Sequence, residues 1–175
     1  MRLTAWAALA LLAACGSVDP VTVARLASLD PLAEDPAAFS VGLDLPDGLA
    51  IPPGGAALTL SARDAQSDEV RAEADLMEGA DRRWRVAKAD LPALRETQRT
   101  IRAWKAADPD GTSGSLSLQL AACRDGSGTP PTGTVSADIV TAPGAAPAPL
   151  LRRVPVGRVL ALADGPGGDA CADMG

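Results

Sequence analysis

Between residues 39 and 87 the chain repeatedly alternates apolar and polar positions. Phe39, Val41, Leu43 and Leu45 are separated by Ser40, Gly42 and Asp44, and Leu58, Leu60 and Ala62 repeat the pattern. Val70, Ala72, Ala74 and Leu76 then stand against Arg71, Glu73 and Asp75, and Trp84 and Val86 lie between Arg83, Arg85 and Ala87. Successive side chains of a strand point to opposite faces, so a period of two marks a strand with one buried side. Turn chemistry separates the runs: Pro46-Asp47-Gly48, Pro52-Pro53-Gly54-Gly55, the polar stretch Arg63 to Asp68, and Glu78-Gly79-Ala80-Asp81. Short strands with a turn every dozen residues favour an antiparallel sandwich.

The period changes once. Leu91, Leu94, Ile101 and Trp104 fall within one stripe at 100° per residue, with Thr97 and Gln98 between them. Asp90 is placed to cap the N-terminus and Pro92 sits in the first turn, where its missing N–H costs nothing. Asp108-Pro109-Asp110-Gly111 stops the chain, so the spacing predicts a helix over about 91–107. Alternation returns at Leu116, Leu118 and Leu120 and again at Val135, Ala137 and Ile139. Residues 124–133 form a Gly/Ser/Pro loop, and residues 142–149 a Pro/Ala-rich surface excursion. Leu150 to Leu162 is expected to hold one or two short strands, with Pro155 signalling an edge or a bulge. The expected fold is mainly β: an immunoglobulin-like antiparallel sandwich of about seven or eight short strands with one amphipathic helix.

Ahead of this domain, residues 16–38 are broken by Asp19-Pro20, Asp30-Pro31 and Asp35-Pro36. A residue before proline is held extended, so this stretch reads as a tether. The first residues differ again: Arg2 gives a positive start, Leu3 to Leu11 are apolar, and Leu12-Ala13-Ala14-Cys15 ends the run. This run is far short of the roughly 20 residues that span a bilayer. It resembles the signal peptide and lipobox of a bacterial lipoprotein, a likeness confined to residues 1–15. That resemblance implies cleavage before Cys15, acylation of the cysteine and attachment to the membrane by acyl chains. It divides the chain into a signal peptide (1–14), a lipidated tether (15–38) and a single β-sandwich domain (39–175). Gly16 stands where inner-membrane-retained lipoproteins of enterobacteria carry Asp, so the resemblance favours a periplasm-facing protein of the outer membrane.

Taking out the signal sharpens the composition. The chain has formal charge −6 and pI about 4.6, and losing Arg2 brings the mature charge to about −7. Such a chain has no general basic field for nucleic acid. Histidine is absent, which removes the commonest general base and the commonest zinc ligand. There is one Phe and no Tyr, and Trp6 leaves with the signal, so Trp84 and Trp104 are the only indoles of the exported domain. With Cys15 committed to lipid, Cys123 and Cys171 remain as a pair, which an oxidising compartment turns into a disulfide.

Candidate chemistry is sparse. There is no Gly-x-Ser-x-Gly elbow and no Ser-x-x-Lys. Lys88 and Lys105 are the only lysines, and neither has a serine three residues before it. Asp108-x-Asp110-Gly111 has the opening of a calcium loop but puts Gly111 at its fourth position and Gln119 at its twelfth, where an EF-hand needs Gly sixth and Glu twelfth. A helix-stopping turn accounts for it better, and no cofactor or metal is expected. Arg95, Arg99 and Arg102 form a ridge opposite the apolar stripe, suited to an acidic partner or anionic headgroups or, more simply, to a solvated helix face. The expectation is a membrane-anchored, non-enzymatic envelope protein with an interaction or structural role. The alternative is a small-ligand module with a pocket between helix and sheet near Trp84 and Trp104.

Overall fold

The computed structural model describes residues 32–163 and Cys171. The signal segment and Cys15 lie outside the described residues. Among the described residues there are nine strands: β1 (Ser40–Asp44), β2 (Leu49–Ala50), β3 (Ala56–Arg63), β4 (Glu69–Glu78), β5 (Arg83–Val86), β6 (Ser113–Leu120), β7 (Cys123–Arg124), β8 (Thr134–Val140) and β9 (Ala148–Pro155). Two α-helices accompany them, α1 (Leu91–Ala107) and α2 (Val156–Ala163), and a 3-10 turn (Pro36–Ala38) precedes β1.

Seven strands make one antiparallel sheet in the order β6-β3-β4-β5-β1-β8-β9, and β2 pairs with β7 in a separate ribbon. The fold is therefore mainly β with one long helix. Its strands form a single continuous sheet where the alternation suggested two. The reason lies in β4, which changes neighbours along its length. Residues Glu69 to Asp75 pair with β3, and Leu76 to Glu78 pair with β5. At the switch, the Asp75 N–H donates to Asp90 Oδ2 at 2.9 Å and the Asp75 carbonyl accepts from Ala87 N at 2.8 Å. Asp75's backbone groups thus stay satisfied where the ladder changes partner. One long strand shared between two halves keeps the halves joined, as strands do at the corners of orthogonally packed sheets.

The same bonds correct the expected helix cap. Asp90 occupies the N-cap position, but its backbone is helical and its side chain caps nothing. Its carboxylate ties the helix start to β4 instead.

Helix α1 connects β5, in the middle of the sheet, to β6 at its edge, and lies across β4 and β3. It buries Leu94, Thr97, Gln98 and Ile101. Beneath it β4 presents Ala72, Ala74 and Leu76, and β3 presents Leu58, Leu60 and Ala62. The alanines let the helix approach the sheet closely, so a core poor in aromatics still closes without long side chains. A second cluster of Leu49, Ala122, Val135, Val156 and Val159 continues this core, the two sharing Ile51 and Leu120.

Three further expectations change. Residues 156–163 form a helix rather than a strand, and Val156 and Val159 on it are buried. The packed unit also begins before residue 39: Leu32 packs against the core, and residues 36–38 form a turn whose N-cap is Asp35. The Pro/Ala-rich excursion is shorter than expected, since β9 begins at Ala148.

Candidate functional site

Helix α1 turns Arg95, Arg99 and Arg102 to solvent because its other side is committed to the sheet. The structure divides their roles. Arg95 holds Asp35 through Nη2 at 2.9 and 3.0 Å and through Nε at 3.1 Å. Asp35 also accepts from Ala37 N at 3.0 Å, and these bonds, Ala37's first and Arg95's second, hold its carboxyl below the usual carboxylate range. The buried Gln98 donates from Nε2 to the Glu34 carbonyl at 3.0 Å. The end of the expected tether is thus fastened onto the helix. Arg99 pairs with Glu96 one turn away, both well exposed. Among the described residues, Arg102 and Lys105 have no ion-pair partner.

The two edges of the sheet are built differently. Strand β9 carries two register shifts against β8, between Val135 and Ala137 and between Ala137 and Asp138. It also carries Pro149, Pro155 and the adjacent cations Arg152 and Arg153, and Arg153 has φ 49°. Bulges, prolines and charge are the devices that keep a strand edge from pairing further. Strand β6 has none of them. Ser113 to Leu120 pair with β3 residue for residue, without irregularity, and contain no charge and no proline. The leucines lean inward, half-buried, and Ser113, Ser115, Ser117 and Gln119 are exposed. Ser115 Oγ bonds Ser61 Oγ at 2.9 Å, and Gln119 Nε2 donates to Thr59 Oγ1 at 3.1 Å, which keeps the outer side of the strand orderly.

On the outer face of the sheet, Arg83 of β5 reaches across β1 to Asp138 of β8, Nη2 to Oδ1 at 2.8 Å. It also donates from Nε to Ser40 Oγ and from Nη2 to the Ser40 carbonyl, each at 3.0 Å. Beside this pair lies an open cleft of about 300 Å³ lined by Asp44, Ser136, Asp138, Pro149, Leu151 and Arg153 among others. Sequence reasoning missed this feature. Its one signal was Gly42, a glycine inside a strand, which marks a close approach.

The remaining candidates are placed as follows. Trp84 is buried in the main core and Trp104 packs against that core, half-buried. The 300 Å³ cleft lies away from both, on β8 and β9. Asp108 spends its carboxylate on the Gly111 N–H at 2.8 Å and its carbonyl on Thr112 Oγ1 at 2.8 Å, closing the turn after α1. Cys123 and Cys171 are joined, with Cα atoms 5.4 Å apart, within the range of disulfides. Compared with protein-family models, with curated proteins and with solved structures, the chain has no significant match in any of the three.

Proposed function

We propose that this chain is a lipid-anchored protein of the bacterial envelope, held by acylated Cys15 and facing the periplasm, with the outer membrane favoured over the inner. Its domain acts without catalysis, by taking an extended segment of another envelope protein onto the free edge of β6. The observation that supports this is the contrast between the two edges. A chain that blocks β9 with bulges, prolines and arginines while leaving eight regular, uncharged residues open on β6 retains the geometry used for strand addition. Main-chain donors and acceptors would supply the attraction, and the half-buried leucines would set the register of the incoming side chains. The change of partner along β4 also supports a sandwich-like description, with β6-β3-β4 and β4-β5-β1-β8-β9 as its two layers. The likeness to an immunoglobulin domain is then one of layering. A ligand-binding role has less support, because the described cleft is open and lies away from both tryptophans.

Photo-crosslinking in living cells tests the reading. A photoreactive residue at Ser115 or Ser117 should yield an adduct with a particular envelope protein, and the same residue at Arg152 should not. Ser117→Lys, which charges the edge without touching the core, should abolish the adduct. Equal yields from both edges, or none from β6, would sink strand addition. The anchor is tested separately: Cys15→Ser should lose acyl labelling and leave the membrane fraction, and retention there would overturn it.

A further inference from the structure

We propose that the outer face of α1 is a docking surface for anionic lipid headgroups. It seats the domain with this helix against the membrane that holds its acyl chains, and so it builds on the lipid-anchor reading above. Three observations converge on it.

The chain as a whole is at −6, yet the exposed side of α1 carries Arg95, Arg99, Arg102 and Lys105 against Glu96; Asp108 and Asp110 follow the helix, and the Asp108 carboxylate is turned onto the Gly111 N–H. Of these, Arg95 is committed to Asp35 and Arg99 shares Glu96, so Arg102 and Lys105 are the cations left for an external anion among the described residues.

The chain outside the structure ends on this helix. Residues 16–31 separate Cys15 from Leu32, and a stretch of that length spans at most about 60 Å. Its far end is fixed by Leu32 packing on the core, by Gln98 on the Glu34 carbonyl and by the Arg95–Asp35 fork. An anchored domain is therefore suspended from the side of α1.

Lipid attachment alone leaves orientation free. A basic patch on the side from which the domain hangs would add an orientation that acyl chains do not supply. Each cation near an anionic surface strengthens partitioning roughly fivefold, so Arg102 and Lys105 together supply about 30-fold.

The test uses the full mature chain carrying Cys15→Ser, so that no acyl group contributes. It is sedimented with vesicles of equal parts phosphatidylglycerol and phosphatidylcholine, and with phosphatidylcholine alone. The wild-type ridge should partition to the anionic vesicles, more strongly at low salt, and not to the neutral ones. Arg102→Glu/Lys105→Glu should weaken that partitioning by 30-fold or more, and the milder Arg102→Gln/Lys105→Gln by about 30-fold, with the far-UV spectrum unchanged. Arg71→Glu, on the far side of the sheet, should leave it as it was. Equal partitioning to both vesicles, or binding that ignores the Arg102 and Lys105 variants, overturns the proposal. So does a ridge whose reversal releases an acidic protein but leaves vesicle binding unaltered. Acyl labelling of unsubstituted Cys15 is read independently, so a failed anchor and a failed docking surface are told apart.

Discussion

Gly42 offers the sharpest test of the packing, because two effects there have opposite signs. It sits on β1 directly between Arg83 of β5 and Asp138 of β8. The absent side chain is what lets the ion pair span an intervening strand. A Cβ at Gly42 would stand 2.5 Å from Asp138 Oδ2, 2.9 Å from Arg83 Nη1 and 3.1 Å from Asp138 Cγ. Its φ is not left-handed, so the backbone itself accepts alanine. On backbone grounds alone, Gly42→Ala should stabilise by about 0.5–1 kcal/mol. Against this stands the displaced network of three bonds from Arg83, in a pair whose side chains are 28% and 38% exposed. Charge-assisted bonds contribute about 1.5–3 kcal/mol, and solvent screening of this half-exposed pair reduces that to about 1–2. The net expectation is a loss of about 0–1.5 kcal/mol, or a Tm lowered by up to about 5 °C. Urea unfolding followed by the fluorescence of adjacent Trp84 measures it. In an Asp138→Ala background the clash with the carboxylate is gone, and Gly42→Ala should turn neutral or stabilising. A stabilising Gly42→Ala in the otherwise unaltered chain would refute the bridging role of this pair.

Three other outcomes are expected. Trp84→Ala should cost about 3–5 kcal/mol, since Trp84 is 7% exposed and belongs to the main core; a loss under about 1 kcal/mol in chemical denaturation contradicts that placement. Cys123→Ser should cost up to about 4 kcal/mol, because the bond to Cys171 closes a separation of 48 residues. Hydrogen exchange should then quicken in α2, and an unaltered denaturation midpoint counts against the tie. Stability should also fall in acid. Asp35, Asp81 and Asp125 are held below their ordinary value of 3.8 by, first, the Ala37 N–H, the Arg85 side chain and the Ser127 hydroxyl respectively. A depressed carboxyl stabilises the fold above the unfolded pKa and loses that contribution as pH falls through the folded one. Tm should therefore be flat above about pH 5 and decline below 3.8. An NMR titration midpoint for Asp35 at or above 3.8 contradicts this account.

Much of the fold was legible because its strands obey a simple rule. The alternations at Leu58, Leu60 and Ala62, and at Ala72, Ala74 and Leu76, are buried on one face as their period requires. The stripe on α1 marked a helix whose bounds, Leu91–Ala107, match the spacing. Pro155 pointed to an edge, and β9 is an edge strand with bulges. What failed was non-local. Whether β4 belongs to one sheet or joins two depends on hydrogen bonds from Asp75 to residues 87 and 90, and no period in β4 itself reports them. Asp90 looked like a cap because capping is a local habit of aspartate, and a tertiary bond claimed its carboxylate. Helix α2 has only eight residues, too few for its Val156 and Val159 spacing to overrule the preceding strand pattern. The candidate surfaces followed the same division. The ridge was visible as a spacing, but which of its arginines were already engaged depended on Asp35, sixty residues away.

That last dependence also determines how the two proposed surfaces fit together. Helix α1 lies on the core face of β3 and β4, so its outer side looks along the local normal of the sheet. Strand β6 is the edge of that sheet, next to β3, so its unpaired side belongs to the rim and not to the face that the helix covers. A domain seated through Arg102 and Lys105 would keep β6 clear of the headgroups and open parallel to the membrane, where a neighbouring envelope protein could reach it. The Arg95–Asp35 fork then acts as the link between anchor and orientation. It uses one ridge cation to fix the tether to the helix, and the cations it leaves free are the ones nearer the C-terminal end of α1. Arg95→Ala should accordingly leave vesicle partitioning of the unacylated chain nearly unaltered. In the acylated protein it should loosen the seating, raising hydrogen exchange at residues 32–38. If it weakens partitioning as strongly as the Arg102→Gln/Lys105→Gln variant, Arg95 is a lipid contact and the division of labour along the ridge is wrong.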